Sequence, residues 1–266
     1  HNRPMIKVRF MGTGTSTGVP QIGCKCPVCT SADMHDRRLR ASVLLTVNGK
    51  NLLIDCGPDF RSQIISAGAP AIDAALLTHS HYDHVGGIDD LRPYCHTADG
   101  FDLYCREDVA RDLRSRLPYC FKKHPYPGVP IFNMHVIDDR SFRIGDIDIT
   151  PLPVMHYRLP IYGFRICDFA YITDAKHIPD TTFELLDGVD TLVINALRKE
   201  EHLSHMNLRQ ALDAIGHIRP RVAYLTHISD KLGLASEVGP ALPEGVRLAY
   251  DNLEISVPDA KYKSVH

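Results

Sequence analysis

The stretch Thr78-His79-Ser80-His81-Tyr82-Asp83-His84 directly follows the apolar run Ala74–Leu77. His79 and His81 are two residues apart, so the end of a strand projects both side chains to the same side. Asp83 and His84 come where the chain turns toward two glycines. Imidazoles and carboxylates suit divalent metals, and four such groups within six residues can bind two adjacent cations. This stretch therefore predicts a two-metal site at the end of a buried strand.

Further acidic and histidine side chains follow strand-like runs elsewhere in the chain: Asp55, His156, Asp174 and His227. In this order, and with the pattern His79-x-His81-x-Asp83-His84, the chain resembles the metallo-β-lactamase fold and its H-x-H-x-D-H motif. The resemblance extends over nearly the whole chain. It implies an α/β protein with a single domain over residues 1–266, folded as an αββα sandwich of two mixed sheets with a dinuclear metal site at the sheet edge.

The resemblance also implies how the ligands are divided. One cation is expected to take His79, His81 and His156, and the other Asp83, His84 and His227, with Asp174 bridging the two. Asp55 is expected to support the loop Thr78–His84, called here the histidine loop, and to orient its imidazoles. Asp83 is also a candidate general base. The expected cofactors are two divalent cations, manganese or zinc, because a mixed set of nitrogen and oxygen ligands does not select one metal.

The composition is that of a globular protein, with 44% hydrophobic and 23% charged residues and a net charge of −2 over 266 residues. It excludes disordered, fibrous and membrane-spanning chains, since no window approaches the about 18 apolar residues of a span. The near-zero charge offers no field to attract nucleic acid. Residues 1–4, ahead of Met5, are expected to include the remnant of an expression tag. No signal segment is present and the eight cysteines do not form a disulfide framework, so we expect a cytoplasmic protein.

Short β-rich runs bounded by Gly, Pro, Asn and Asp predict the strands. They are Ile6–Met11, Ser42–Val47, Asn51–Asp55, Ala74–Thr78, Asp102–Cys105, Phe132–Ile137, Ile147–Leu152, Phe164–Ile166, Ala170–Thr173, Thr191–Ile194 and Val222–Thr226. Apolar spacing predicts helices over Asp59–Ala67, Asp108–Leu117 and Asn207–His217, the last with Asn207 as N-cap. Leu117–Pro130 is predicted to be a long irregular loop and a candidate lid.

Three local features resemble one branch of the superfamily, the PhnP-type phosphoribosyl 1,2-cyclic phosphate phosphodiesterases. The Gly-rich turn Gly12–Pro20 is shared with ribonuclease Z-like phosphodiesterases. The loop with Cys24, Cys26 and Cys29 resembles the structural zinc loop of the subfamily. His205, before a predicted helix, resembles its catalytic histidine.

The fourth ligand of the cysteine loop departs from the subfamily, where it is a histidine three residues after the last metal-binding histidine. This chain has Asp230 at that position. Zinc prefers four ligands. Three alternatives stay open: zinc held by Cys24, Cys26, Cys29 and Asp230, zinc with His35 as the fourth ligand, or reduced thiols without metal.

The resemblance implies hydrolysis of a small cyclic or otherwise activated phosphodiester by attack of a metal-activated hydroxide. His205 is the candidate general acid for the leaving oxygen, with His202 as the local alternative. A terminal phosphate on the substrate would need a basic contact, for which Arg158, Lys176, Arg198 and Lys199 are equal candidates. The expected partner is this small-molecule substrate, without membrane or nucleic acid, and a homodimer is expected only from the resemblance.

Three other functions compete with this one. Ribonuclease Z-type processing of tRNA shares the ligands, but the chain has no long basic arm to grip tRNA. Thioester, lactone or β-lactam hydrolysis keeps the fold, although Asp174 argues against a β-lactamase, in which a cysteine commonly stands there. A metal-dependent scaffold is disfavoured by the complete ligand set. The sequence leaves open the exact substrate, the native metal, the oligomeric state and the pathway.

Overall fold

The protein is described from a computed structural model that covers residues 5–95, 100–121 and 128–258. The strands are β1 Met5–Gly12, β2 Ser42–Val47, β3 Lys50–Ile54, β4 Ala74–Leu76, β5 Phe101–Cys105, β6 Phe132–Val136, β7 Phe142–Ile144, β8 Ile147–His156, β9 Leu159–Ile166, β10 Phe169–Ile172, β11 Thr191–Asn195, β12 Val222–Thr226, β13 Val246–Leu248 and β14 Glu254–Pro258. The α-helices are α1 Phe60–Ser66, α2 Tyr82–Val85, α3 Glu107–Arg116, α4 Asp180–Leu185, α5 Leu208–Ile218 and α6 Ala235–Ala241. Short 3-10 helices occupy Met34–Asp36, Ile88–Tyr94, Pro118–Phe121 and Asp230–Leu232.

The strands form two seven-stranded sheets, ordered β14-β1-β2-β3-β4-β5-β6 and β13-β12-β11-β10-β9-β8-β7. Each sheet is mixed. The first has antiparallel pairs from β14 to β3 and parallel pairs from β3 to β6. The second has antiparallel pairs from β7 to β10 and parallel pairs from β10 to β13. The predicted two mixed sheets are confirmed.

Alternating side chains explain why the two sheets pack face to face. In β3 and β4, Leu52, Ile54, Ala74 and Leu76 face a core that also contains residues of the second sheet. Leu53 faces the opposite side, toward a second core. Since successive residues of a strand point to opposite faces, each sheet buries both of its faces.

The outer faces are covered by helices, which completes the αββα layering. α1 and α3 pack on the first sheet through the cluster that contains Phe60, Ile64, Val109 and Leu113. On the second sheet, α5 contributes Ala211, Ala214 and Ile215 to another cluster, and α6 contributes Val238. No helix within the described ranges is long and apolar enough to span a bilayer.

Most predicted elements agree with the structure within one or two residues, but the hairpin of β8 and β9 is longer than predicted. β8 continues to His156 and β9 already starts at Leu159, although the two strands include Pro151, Pro153 and Pro160. The predicted loop Leu117–Pro130 begins as the 3-10 helix Pro118–Phe121, and its residues 122–127 lie outside the described part, as do residues 1–4. Asn207 caps α5 as predicted, in a capping box with Gln210.

Candidate metal centre

The carboxyl ends of several strands meet at one edge of the packed sheets and bring all seven predicted ligand residues together. The candidate ligand atoms fall into two groups, each with its atoms within 4.8 Å of one another. One group is His79, His81 and His156, and the other is Asp83, His84, Asp174 and His227. These are the two groups that the resemblance implied.

Asp174 lies between the two groups. Its Oδ1 atom is 3.2 Å from the Nε2 atoms of both His84 and His227, and its Oδ2 atom is 3.8 Å from the Nε2 atom of His79. Oδ1 therefore faces the group that contains His84 and His227, and Oδ2 faces the group that contains His79. This position is suited to a bridging ligand.

Hydrogen bonds from the ring Nδ1 atoms of His79 and His156 direct the Nε2 atoms of these two histidines into the site. The Thr78 hydroxyl donates to Asp55, so its oxygen is left to accept from the Nδ1 atom of His79 at 3.0 Å. The Nδ1 atom of His156 lies 2.9 Å from the carbonyl oxygens of both Asp174 and Ser204. Nδ1 donation leaves the Nε2 lone pairs free for a metal. Sequence reasoning missed Thr78 and Ser204 in this role.

The backbone at the strand ends is strained in a way that aims these side chains. Asp55, Asp174 and His227 have φ angles of 63°, 57° and 54°, in the left-handed region. Non-glycine residues there cost about 1–3 kcal/mol each and persist only where the surroundings hold them. All three residues lie one or two positions after the end of a strand, where the chain turns, so the side chain enters the site instead of continuing the sheet.

Close backbone approaches fix the histidine loop and the last ligand. A Cβ atom on Gly57 would overlap the carbonyl oxygen of Asp83, so only glycine allows this contact. The Gly-rich turn lies beside the segment after His227, where Thr15 N donates to the Ile228 carbonyl at 3.0 Å and Ile228 N donates to Thr13 at 2.9 Å. The turn predicted from its glycines thus supports the candidate ligand His227.

Opposite charges shift the pKa values of the buried groups strongly. Burial opposes charge at Asp83 and Asp174, but the neighbouring imidazoles, His84 and His227 among them, lower the pKa of both carboxyls below the usual range. Burial also opposes charge on His84, yet Asp174 and Asp83 raise its pKa well above the ordinary value. The site therefore contains carboxylates that stay ionised and that attract positive charge.

The chemistry of the donor set fits divalent cations. The Nε2 atoms of His84 and His227 are fully buried and make no hydrogen bond of normal geometry within the described residues, although Asp174 Oδ1 lies 3.2 Å from both. Buried polar atoms are normally paired, and a metal ion is one explanation for such exceptions. Buried carboxylates beside imidazole nitrogens that lack a hydrogen bond of normal geometry are a ligand set for zinc, manganese or iron.

His205, the predicted general acid, lies at the same site. Its Nδ1 atom is 3.8 Å from Asp174 Oδ2, and its ring stacks on His227 with the centroids 5.0 Å apart. Burial lowers the pKa of His205 to about 3, and His227 acts in the same direction. His202, the alternative candidate for the general acid, lies next to His205, with the two ring centroids 5.1 Å apart.

The cysteine loop forms a separate candidate metal site with Asp230. The ligand atoms of Cys24, Cys26, Cys29 and Asp230 lie within 4.8 Å of one another. Asp230 Oδ2 is 3.8 Å from Cys24 Sγ and 3.5 Å from Cys26 Sγ. His35 instead packs against the Tyr250 ring at 4.2 Å and is outside this group, so the geometry favours Asp230 as the fourth ligand.

The four basic residues considered for phosphate binding are no longer equivalent. The Arg158 guanidinium lies 5.2 Å from the centroid of its neighbour Tyr157. Lys199 packs against Gly233. A Cβ atom added to this glycine would lie 3.5 Å from the Nζ atom of Lys199. Lys176 follows Asp174 after β10 and donates to Gln210 Oε1 at 3.1 Å, whereas Arg198 lies with His205 on the loop between β11 and α5.

Comparison with known proteins places the chain in a family. The model of the β-lactamase superfamily domain matches residues 50–228. An octanoyltransferase from Porphyromonas gingivalis is 44% identical over 94% of this chain and 51% of its own length, so the chain spans about half of that relative.

Two solved structures agree with this assignment. A new diphosphatase from the PhnP family superposes with a TM-score of 0.89 at 37% identity, covering 95% of this chain and 97% of the other. Zn²⁺-bound PqqB from Methylobacterium extorquens superposes with a TM-score of 0.79 at 18% identity over 94% and 100% of the two chains, which shows the shared fold alone. The chain therefore belongs to the β-lactamase superfamily and has the αββα fold of its metal-dependent hydrolases.

Proposed function

We propose that the chain is a metal-dependent phosphodiesterase that hydrolyses a small, activated phosphodiester, a class that includes cyclic diesters and diphosphate-linked diesters. The observation that carries the proposal is His205. Its imidazole is an eighth group at a site whose seven other side chains form two ligand sets, and its ring nitrogen also lies within 4.8 Å of ligand atoms of His156 and Asp174. The likeness at 37% identity to a PhnP-family diphosphatase over nearly the whole chain supports the same class of substrate.

The seven ligand-type side chains divide into two cation sites in this proposal. His79, His81 and His156 would hold one cation, and Asp83, His84 and His227 the other, with Asp174 between them. When bound, the two cations supply Lewis acidity to the phosphate oxygens and lower the pKa of water. Six of the seven ligand side chains are buried, His81 being exposed, and Asp55, Thr78 and backbone carbonyls orient His84, His79 and His156, so the chain holds these imidazoles in place.

His205 would donate the proton that the leaving oxygen needs. With its pKa lowered to about 3 by burial, the ring is neutral in the free protein at pH 7. An anionic phosphate next to the ring favours its protonated form, since an opposite charge nearby stabilises the imidazolium. His205 thus takes up its proton with the substrate and delivers it to the departing alkoxide or phosphate.

The cysteine loop would hold one zinc ion in a structural role, bound by Cys24, Cys26, Cys29 and Asp230. Three thiolates and one carboxylate complete a tetrahedral set. This site would fix the loop after the Gly-rich turn against the segment that follows His227.

A panel of substrates tests the proposal, with phosphorus NMR for the small phosphodiesters, gel electrophoresis for the tRNA precursor and thiol release for the thioester. The protein loaded with manganese or zinc is given a cyclic phosphodiester, a diphosphate-linked dinucleotide, a tRNA precursor and a thioester. We expect cleavage of one or both small phosphodiesters, and none by protein treated with chelator. Cleavage of only the tRNA precursor or only the thioester would replace the proposal with one of the alternative functions.

A further inference from the structure

A cavity of about 280 Å³ lies where β13, α6 and the 3-10 helix Met34–Asp36 meet, and Arg38 is one of the residues that line it. We propose that this cavity, called here the Arg38 cavity, binds a small carboxylate with an apolar body. None of the residues that line the cavity is a candidate ligand of the metal centre, so this second site is independent of the proposed function.

Arg38 carries a positive charge into the interior without an acidic partner. The residue is only 4% exposed. Burial lowers the pKa of its guanidinium to about 10, which leaves the group charged at neutral pH. Buried charges are normally paired, yet Arg38 forms no ion pair with a carboxylate in the part of the chain that the structure describes. An anionic ligand would supply the missing partner.

The acidic side chains around Arg38 are bound to other donors. Both carboxylate oxygens of Asp251 accept hydrogen bonds at 2.7 Å, one from a hydroxyl and one from a main-chain N. Asp36 accepts from a main-chain N of α6 at 2.8 Å, and Asp33 accepts from His35 N at 2.9 Å. The charges of these three acids raise the pKa of Arg38 without contacting its guanidinium. The space beside the guanidinium is therefore left for a ligand.

Two of the three guanidinium nitrogens of Arg38 are free to donate. Nη1 donates to Thr13 Oγ1 at 2.8 Å and to the carbonyl oxygen of Ala249 at 2.6 Å. Nε and Nη2 make no hydrogen bond of normal geometry within the described residues, and both retain some accessible surface. These two atoms lie on one edge of the planar guanidinium, and such an edge binds the two oxygens of a carboxylate in parallel.

The rest of the lining suits a small apolar body. Val246 and Leu248 contribute aliphatic side chains, and the rings of His35 and Tyr250 are in contact, with their centroids 4.2 Å apart. Pockets for drug-sized ligands have volumes of about 300–1,000 Å³, so a cavity of about 280 Å³ limits the occupant to a small molecule. A phosphate would leave its further oxygens against apolar walls, which favours a carboxylate.

Titration of benzoate into the parent protein, with neutral benzamide as the matched compound, tests the need for a carboxylate. We expect benzoate to bind at least about tenfold more tightly, because only its carboxylate forms a charge-assisted pair with Arg38. The Nε–H signal of Arg38 in NMR spectra, identified by its absence from Arg38→Lys, should shift on addition of benzoate. Equal affinities for the two compounds, or no binding of benzoate, would overturn the proposal.

A pair of glycine substitutions tests the location without changing the arginine. Gly239 on α6 lines the cavity, and a Cβ atom there would meet no atom within 4 Å, so Gly239→Leu takes up cavity space without a clash. Gly216 on α5 has equally open surroundings and does not line the cavity, which makes Gly216→Leu the matched control.

We expect Gly239→Leu and Arg38→Lys each to weaken benzoate binding at least about tenfold, the first by filling the cavity and the second by removing the paired donors. Gly216→Leu should bind benzoate like the parent. Benzoate that binds Gly239→Leu and Arg38→Lys as tightly as the parent must occupy another place, such as the metal centre, and this result would contradict the inference.

Discussion

The Nδ1 atom of His84 lies 2.7 Å from the Oδ2 atom of Asp55, and both side chains are completely buried. Asp55 also accepts from the main-chain N and the hydroxyl of Thr78, each at 2.8 Å. Burial raises the pKa of Asp55, and His84 opposes this rise. The carboxylate thus holds His84 with its Nε2 atom toward the ligands and ties the histidine loop to β3.

We expect Asp55→Asn to weaken divalent-cation binding about 10–100-fold, the usual effect of removing the partner that orients a ligating histidine. Metal affinity measured by competition with a chromogenic chelator checks this. Asp213→Asn, at an exposed position on α5, is the control and should bind metal like the parent. An unchanged affinity in Asp55→Asn would show that the pair is only structural.

Metal binding should depend on pH because His84 carries a proton when the site is empty. Its pKa is raised well above the ordinary value by Asp174 and Asp83, so a cation must displace a proton even at neutral pH. We expect affinity to fall as pH decreases and binding to release at least one proton. Calorimetry in two buffers of different ionisation enthalpy measures that release. Identical heats in both buffers would contradict this expectation.

His205→Gln should lower kcat for substrates with alkoxide leaving groups by about 10²–10⁴-fold, because the leaving oxygen loses its proton donor. A nitrophenyl diester, whose leaving group needs no proton, should be affected much less. Metal content should stay at the parental value, which separates a proton donor from a ligand. An equal loss on both substrates, or loss of metal, would argue against the proposed role.

Substitutions of Asp230 test whether the cysteine loop is a zinc site. We expect Asp230→Ala to speed zinc release to a chelator and to lower the Tm, since one of four ligands is removed. Asp230→His should hold zinc at least as firmly as the parent because imidazole is a good zinc ligand. Parent protein with no thiolate-bound zinc, judged from cobalt substitution spectra, would leave the cysteines as free thiols.

Asp251 should make stability depend on pH on the acid side of neutrality. Burial raises its pKa to about 6, although hydrogen bonds from Leu39 N and Thr13 act against the rise. The folded protein therefore binds this proton more tightly than the unfolded chain. Its stabilising contribution is full below about pH 4 and is lost as pH rises through about 6, at most about 3 kcal/mol. Chemical denaturation of Asp251→Asn should lack this dependence, and a parallel pH profile would contradict the assignment.

The ligands could be predicted because they follow strands in a fixed order, and parallel strands place their carboxyl ends at one edge of a sheet. The extended hairpin of β8 and β9 could not, since Pro151 and Pro153 lack the N–H group expected inside a strand. The left-handed backbone at Asp55, Asp174 and His227 was also unpredictable, because these residue types do not demand it.

The supporting contacts depend on tertiary structure that no local pattern encodes. Asn195 binds the main-chain N and carbonyl of Ala175, next to Asp174, from a neighbouring strand. The sequence signal for this contact is an asparagine at the end of a strand, and that pattern is not specific for a residue that supports a site.

The most direct measurement is phosphorus NMR of a small cyclic phosphodiester in ¹⁸O-labelled water, with manganese or zinc added to chelator-treated protein and with Asp174→Ala as the control. We expect ring opening to a single phosphomonoester that carries one ¹⁸O atom on phosphorus, restored only by the metal and absent in the variant. A protein that binds both cations yet leaves this diester and a diphosphate-linked dinucleotide intact would contradict the proposed phosphodiesterase activity.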